Sequence, residues 1–400
     1  MKISLLTLGK AKIFVKAQIL KTMIFNAVAA IFIYVGLFLS CKEQKSDDIQ
    51  HKVIPIDSEI KICSDSVYFK STRLIRLETT DNSLIRAIDK IMIDENKIFI
   101  FDQSLNGIFI FDKDGKFLYS IKKVGVGPGE YTQLLNVCLD AKNKQLILFP
   151  DSPRKIYYMD YSGKLLRETK VFSYYRDVIC YENDIYAISL LPSEENNFCC
   201  INIVDKNSGK ENYLFNNNKA VQNTVFTSGS YLTRTKSINF TVKYENFIYE
   251  INNKKVRKKY EIDFGKYNLP NKYKQKEVSS KELFNACNEH GYIFGIVEVV
   301  DCDNYLAFRT NMPEIYIYSK EEDLLKKITT IGGGNKYGLH YSRMLSIENT
   351  DNSVAFLVQP ELLLPLKDYE DKSWINKNLL QLVEMLDSDE NPMLMICEFR

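Results

Sequence analysis

From Ile54 onward the apolar residues alternate with a period of two, and short blocks of that alternation return at a near-constant interval. Ile98-Phe99-Ile100-Phe101-Asp102, Ile108-Phe109-Ile110-Phe111-Asp112 and Phe117-Leu118-Tyr119-Ser120-Ile121 read as three successive strands. Lys113-Asp114-Gly115-Lys116 is the turn before the third, and its Asp-Gly step predicts a type I′ hairpin with two positive-φ residues. The module then recurs. Gln145 to Phe149 and Lys155 to Asp160 are strands, Tyr161-Ser162-Gly163-Lys164 is the turn, and Leu165-Leu166 begins the next strand. The two turn glycines lie 163 minus 115, or 48, residues apart. A fainter copy runs through Asp184 to Ile188 and Ile201 to Asp205 to Gly209, 46 residues beyond Gly163. Eroded copies follow at Phe247 to Ile251, Tyr305 to Arg309 and Glu314 to Tyr318.

A period in the forties with about four short strands per unit is the pattern of propeller blades. The expected fold is all-β: a six-bladed β-propeller of four-stranded antiparallel blades with short helical insertions. A large sandwich would not need the repeat. Helical periodicity is confined to Asn271 to Asn288 and Tyr369 to Asp387. The final strand, Met393 to Phe399, is expected to close the ring against N-terminal sequence, which would remove a free sheet edge.

Ahead of the repeats stands a different kind of segment. Lys2, Lys10, Lys12, Lys16 and Lys21 precede an uncharged run from Met23 to Ser40, and Leu39-Ser40-Cys41 ends it. A basic region, an apolar region and a small residue at the cut make a secretory signal, and the small residue directly before a cysteine suits a lipobox. Residues 1–40 are therefore expected to be a lipoprotein signal peptide, with Cys41 the lipidated residue. Residues 41–53 form a polar tether, and 54–400 a single domain. Acyl chains on Cys41 would anchor the chain to a membrane. The expected location is the cell envelope, as an outer-membrane lipoprotein on the periplasmic or surface side. An uncleaved transmembrane helix is the competing reading of the same run.

Composition narrows the partners. With 53 basic and 51 acidic residues the formal charge is +2, which gives no electrostatic reason to expect nucleic acid. Of nine cysteines, eight remain beyond Cys41, without CxxC spacing. Cys138, Cys302 and Cys397 lie in apolar runs, where free thiols act as small hydrophobes.

Several segments resemble one family. Leu77 to Ile85, Ile88 to Ile91, Gly125-Val126-Gly127-Pro128-Gly129-Glu130-Tyr131, Ile262 to Tyr267 with Leu269-Pro270, and Asn391 to Ile396 look like the markers of six-bladed β-propeller lipoproteins related to NHL-repeat proteins. The resemblance implies the fold and an envelope location. It also implies where an enzyme of this kind would work, because NHL-like lyases and lactonases converge metal ligands on a central channel.

No catalytic constellation is legible. His51, His290 and His340 lack zinc spacing, and no GxSxG occurs. Gly125 to Tyr131 lacks the following helix and Lys-Ser/Thr of a phosphate loop. Asp102, Asp151 and Asp301 could converge in a channel, against the plainer role of capping strand ends and turns. The basic run Lys254 to Lys259 reads as a solvated rim, with anionic lipid or polysaccharide as the alternative. No catalytic residue, metal ligand or cofactor is expected, with a structural or catalytic metal left open.

Two functions compete. One is a non-catalytic binding module for a glycan, peptide or envelope protein, expected to be monomeric. Its contacts would be the loop aromatics Tyr174, Tyr175, Tyr231 and Tyr337, since rings stack on sugars and anchor interfaces. The other is a metal-dependent lyase or hydrolase working in the channel.

Overall fold

The computed structural model describes residues 51–400 apart from 172, 190–198, 217–226, 276–277, 333, 335–336, 342, 370, 374 and 388. The signal segment, Cys41 and the tether to Gln50 lie outside the described residues, as do Trp374 and part of the glycine run at 332–338. The chain enters through β1 (Lys52–Cys63) and β2 (Phe69–Arg76). It then runs through antiparallel meanders, each strand pairing with its sequence neighbour. The first is β3 (Lys90–Asp94), β4 (Lys97–Asp102), β5 (Gly107–Asp112) and β6 (Phe117–Ile121). The second is β7 (Leu134–Asp140), β8 (Gln145–Pro150), β9 (Lys155–Asp160) and β10 (Leu165–Lys170). The third is β11 (Tyr175–Tyr181), β12 (Asp184–Ser189), β13 (Cys199–Asp205) and β14 (Glu211–Asn216).

The fourth meander is β15 (Leu232–Arg234), β16 (Ile238–Thr241), β17 (Phe247–Asn252) and β18 (Lys255–Asp263). The fifth is β19 (Ile296–Asp301), β20 (Tyr305–Thr310), β21 (Ile315–Ser319) and β22 (Leu324–Gly332), with β23 (His340–Tyr341) on its edge. The last is β24 (Met344–Glu348), β25 (Ser353–Val358) and β26 (Met393–Phe399), completed by β2. The C-terminal strand thus pairs with N-terminal sequence.

These meanders are not all separate sheets, which corrects the expectation of uniform four-stranded blades. β1 pairs parallel with both β18 and β22 and fuses the fourth and fifth meanders. β24 pairs parallel with β3 through Ile347↔Ile91 and Glu348↔Met92, giving an eight-stranded sheet. Only the second and third meanders stand as four-stranded sheets among the described residues. The reason is that β1 and β24 carry free strand edges next to neighbouring edges, and backbone groups there bond rather than stay unpaired.

The sandwiched strands explain the Phe-Ile-Phe runs. Ile98 and Ile100 of β4 pack with Leu345, Ile347 and Leu394 of the last meander. Phe99 and Phe101, on the opposite face, pack with Val137, Leu146 and Tyr157 of the second. A strand buried on both sides reads as continuous apolar residues rather than strict alternation. Such shared cores join the second to the third, the third to the fourth, the fourth to the fifth and the fifth to the last.

The repeated turns have one construction. Asp112 Oδ1 accepts from the amides of Asp114 and Lys116 at 2.9 Å each, and Asp160 Oδ1 does the same for Ser162 and Lys164. Asp205 caps its turn through the amides of Asn207 and Ser208. In the first turn only Gly115, with φ +91, has a positive φ, so it is not type I′; β5 and β6 shift register there instead. A Cβ on Gly115 would lie 2.0 Å from the carbonyl of Arg76 in β2, so the glycine serves contact between meanders as well as the turn.

Both helical expectations survive in shortened form. Asn271–Lys274 is a 3-10 turn, and α1 spans Ser280–His290. Ser279 caps α1 by accepting from the Glu282 amide, and Gly291, in the left-handed region, ends it. Its Leu283 and Cys287 pack on Tyr244, Leu269 and Phe294. α2 covers Lys377–Glu384 and buries Leu379, Leu382 and Val383. Cys138, Cys302 and Cys397 are buried free thiols. No helix among the described residues is long and apolar enough to cross a membrane.

Candidate functional site

The first strands of the meanders face one another. β3 touches β24, β24 touches β19, β19 touches β15, β15 touches β11 and β11 touches β7. Charge collects where they meet. Lys90, at the head of β3, sends Nζ to the carbonyls of Val178 at 2.6 Å and Val137 at 3.0 Å, and to Asn136 Oδ1 at 3.3 Å. Glu348 Oε2 lies 3.4 Å away and Asp177 Oδ1 3.6 Å. Lys90 therefore ties β3 to β7, β11 and β24 at once. Burial pushes its pKa down, but Glu348 and Asp177 outweigh burial and hold it above the ordinary lysine value.

The partners are themselves bonded. Glu348 Oε1 accepts from the Leu139 amide at 2.9 Å. Asp177 accepts from the amides of Val178 and Leu232, at 3.1 Å each. Asn136 donates to the Arg176 carbonyl at 2.7 Å. A buried ion pair is tolerable only when its remaining lone pairs and protons are satisfied in this way.

Glu298 fills the other side. It sits in β19 at φ +55, where β19 and β20 slip register between Val297 and Val300. A left-handed residue other than glycine in a strand stores strain, and a bulge of this kind re-aims a side chain. The carboxylate accepts from the amides of Ser230 at 2.9 Å and Ser346 at 2.8 Å, and from Ser346 Oγ at 2.5 Å. Burial pushes its pKa up, with the Ser346 hydrogen bond and Arg309 opposing. The space left among Asp89, Lys90, Ser230, Glu298, Ser346 and Glu348 is a cavity of about 20 Å³. That is room for about one water. Chemically the channel is a closed polar plug: every carboxylate in it is held by backbone amides, a serine or Lys90.

The expected site residues fall elsewhere. Tyr174 is half-buried beneath the Arg154 guanidinium, 4.3 Å from its ring centre, and its hydroxyl accepts from Arg154 Nε at 2.8 Å. Tyr175 is 3% exposed and packs edge-on against Phe149. Tyr231 is also 3% exposed, and its hydroxyl accepts from the Thr227 amide at 3.0 Å. Tyr337 is half-buried in a 370 Å³ cleft with Arg76, Asn378 and Met385. The four are not brought together, and only Tyr174 and Tyr337 keep part of a ring at the surface.

Asp102 and Asp301 do not meet in the channel. Asp102 accepts from the amides of Arg86, Ala87 and Leu105, and Asp301 pairs with Lys259 and Lys320 at 2.7 Å each. Asp151, at the end of β8, donates its backbone amide to Gln133. The glycine loop at 125–131 is closed on itself: the Gly127 amide donates to Glu130 Oε2 at 2.8 Å, where an anion would have to sit. The basic run is largely paired, Lys254 with Asp184, and Arg257 and Lys259 with Glu250. No group of three metal-binding side chains occurs among the described residues.

The channel residues had a signal in the sequence. Glu298 interrupts Ile296-Val297-Glu298-Val299-Val300, and Lys90 heads Ile91-Met92-Ile93. A single charge inside an apolar strand must find a buried partner, and that partner comes from distant strands.

Similar folds occur in solved structures. A protein described as exported, from Bacteroides fragilis, superposes with a TM-score of 0.71 at 17% identity, over 87% of this chain and 100% of that one. A DUF4221 member from Bacteroides vulgatus gives 0.47 at 10% identity over 83% and 97%. Virginiamycin B lyase from Staphylococcus aureus gives 0.43 at 12% identity over 82% and 99%. The first of these supports a shared, propeller-like β fold and nothing about activity. No curated protein matches the chain in sequence. One family model, described as a domain of unknown function, DUF4934, matches residues 51–398.

Proposed function

The chain belongs to the family of the DUF4934 domain, and from that premise we propose that it is an envelope lipoprotein, anchored by acylated Cys41, whose six-bladed propeller binds a glycan, peptide or protein without catalysing a reaction. The six blades are the six meanders, with β2 closing the last and β1 laid across the outer edges of the fourth and fifth. The cores shared from each meander to the next, and from the last back to the first through Ile347, Leu394 and Ile98, support that count.

One observation carries the non-catalytic reading. Where a propeller enzyme would hold a cation between converging carboxylates, Lys90 Nζ lies between Asp177 and Glu348. The space around it is too small for a substrate of more than a water's size. A metal-dependent lyase or hydrolase would have to displace that ammonium and open the channel. Ligands then belong on the loop faces, where Tyr174 and Tyr337 keep ring surface.

The test is binding of the full chain, purified in detergent, to glycan and peptide arrays, beside metal analysis of the same preparation. Saturable binding to one ligand class and no stoichiometric metal is the expected result. A stoichiometric divalent ion lost on Asp177→Asn or Glu348→Gln would favour the channel enzyme instead. Anchoring is tested separately: Cys41→Ser is expected to abolish incorporation of labelled palmitate and to shift the protein from the membrane fraction.

A further inference from the structure

Beside α1 lies a cleft of about 180 Å³ that shares no lining residue with the channel, and the amide of Thr227 in its wall donates to the Tyr231 hydroxyl. Its apolar wall is Phe284 and Met312, backed by Phe294. Phe284 is 44% exposed, although it stands edge-on to Phe294 with ring centres 6.1 Å apart. Asn311 ties the cleft's lip down: it accepts from the Phe294 amide at 2.8 Å and donates to the Tyr292 carbonyl at 2.9 Å.

Arg309, on β20, also lines the cleft and is 8% exposed. A guanidinium has five N–H donors. Here one hydrogen bond is made, from an η nitrogen to the Met344 carbonyl at 3.2 Å. No carboxylate of a described residue forms an ion pair with it, whereas nearly every other buried cation of the fold has one. Glu298 compensates its charge from farther off, but both Glu298 oxygens are taken by Ser230 and Ser346. Thr227, 5% exposed, stands in the same wall, and its buried Oγ1 meets the geometry of a hydrogen bond with no partner among the described residues. Buried polar groups are ordinarily satisfied, and those left open in a cleft are the groups a ligand can satisfy.

We propose that this cleft binds a small amphipathic carboxylate, its anionic end on Arg309 and Thr227 and its apolar body against Phe284 and Met312. A carboxylate matches the planar fork of a guanidinium in a way that a neutral amide cannot. The same chemistry is offered by the C-terminal residue of a peptide with a large apolar side chain and by a free aryl acid. The assignment rests on the binding-module reading and names a ligand class for it.

The experiment is titration of the full chain in nanodiscs with N-acetylphenylalanine, phenylacetate and N-acetylphenylalaninamide, read by calorimetry. Both acids are expected to bind, and the amide at least tenfold more weakly. Tighter binding of N-acetylphenylalanine than of phenylacetate assigns the peptide source, and the reverse assigns the free acid. Arg309→Lys and the surface change Phe284→Ala should each weaken the acids at least fivefold, while Leu166→Ala, an exposed position on β10 outside the cleft, leaves them unchanged. Phe284→Ala keeps the test open where an Arg309 variant fails to fold. Equal binding of acid and amide, no binding of either acid, or acid binding indifferent to Phe284→Ala overturns the proposal. If neither acid binds while an array ligand does, this assignment falls and the binding-module reading stands.

Discussion

The channel and the cleft beside α1 each bury charge at the ends of strands, and they treat it in opposite ways. In the channel Lys90 reaches three backbone or side-chain acceptors and lies within 4 Å of two carboxylates. In the cleft Arg309 has one carbonyl. The channel leaves about 20 Å³ and the cleft about 180 Å³. Charge that is fully partnered in a closed space holds strands together. Charge that is partnered once, beside open space and an exposed ring, is built for something that arrives.

The largest effect should therefore come from the channel. Lys90→Met leaves Asp177 and Glu348 without their cation, and breaking a buried pair from one side costs about 3–5 kcal/mol. Urea unfolding of the full chain checks this, and a loss under about 1 kcal/mol would break the contrast. The same variant sharpens it with pH. The Lys90 pKa is raised in the fold, so its contribution is fully present below the unfolded lysine value of 10.5 and is lost as pH rises through the folded value. The stability gap between wild type and Lys90→Met should narrow above that pH, whereas a gap constant with pH would mean that charge is not the cause.

Glu298→Gln comes next. It keeps the shape but cannot accept from Ser230 and Ser346 with both ends, for an expected cost of about 1–3 kcal/mol. Its pH dependence has the same sign as that of Lys90 but starts from the carboxylate value of 4.5 rather than the lysine value. The Glu298 pKa is raised, so the folded state binds its proton more tightly, and its ionisation weakens the fold as pH rises through the raised value. The gap between wild type and Glu298→Gln should be widest at acid pH, in a series of unfolding curves at fixed salt. Arg309→Met should have the smallest effect on stability, within about 1 kcal/mol, because little is bonded to the group that is removed. A loss comparable to that of Lys90→Met would put Arg309 among the structural charges.

The contrast also separates what the chain declares in one dimension from what it does not. The strands and turns were legible, since a period of two and an Asp-x-x-Gly-Lys turn are local signals: β6, β9 and β26 have the bounds that alternation predicts. The turn type differs from the type I′ expectation, and nothing local in the sequence marks the close approach of Gly115 to Arg76 in β2, a contact between distant segments. Fusion of meanders by β1 has no local mark either, since its partners β18 and β22 lie far along the chain. The tyrosines illustrate the same limit. Tyr175 and Tyr231 are 3% exposed because Tyr175 opens β11 and Tyr231 directly precedes β15, so each ring is drawn into the core beside its strand. Lys90, Glu298 and Arg309 were readable as misplaced charges, but which of them found partners depends on strands more than forty residues apart, as in the contact of Lys90 with Asn136.

The most direct test of the account is ligand binding by Lys90→Met under conditions where it is folded. If the channel is a structural plug, the variant should be strongly destabilised to urea yet bind its array ligand with wild-type affinity at low temperature. A Lys90→Met protein as stable as the wild type that has lost the ligand would place the binding site in the channel and contradict the account.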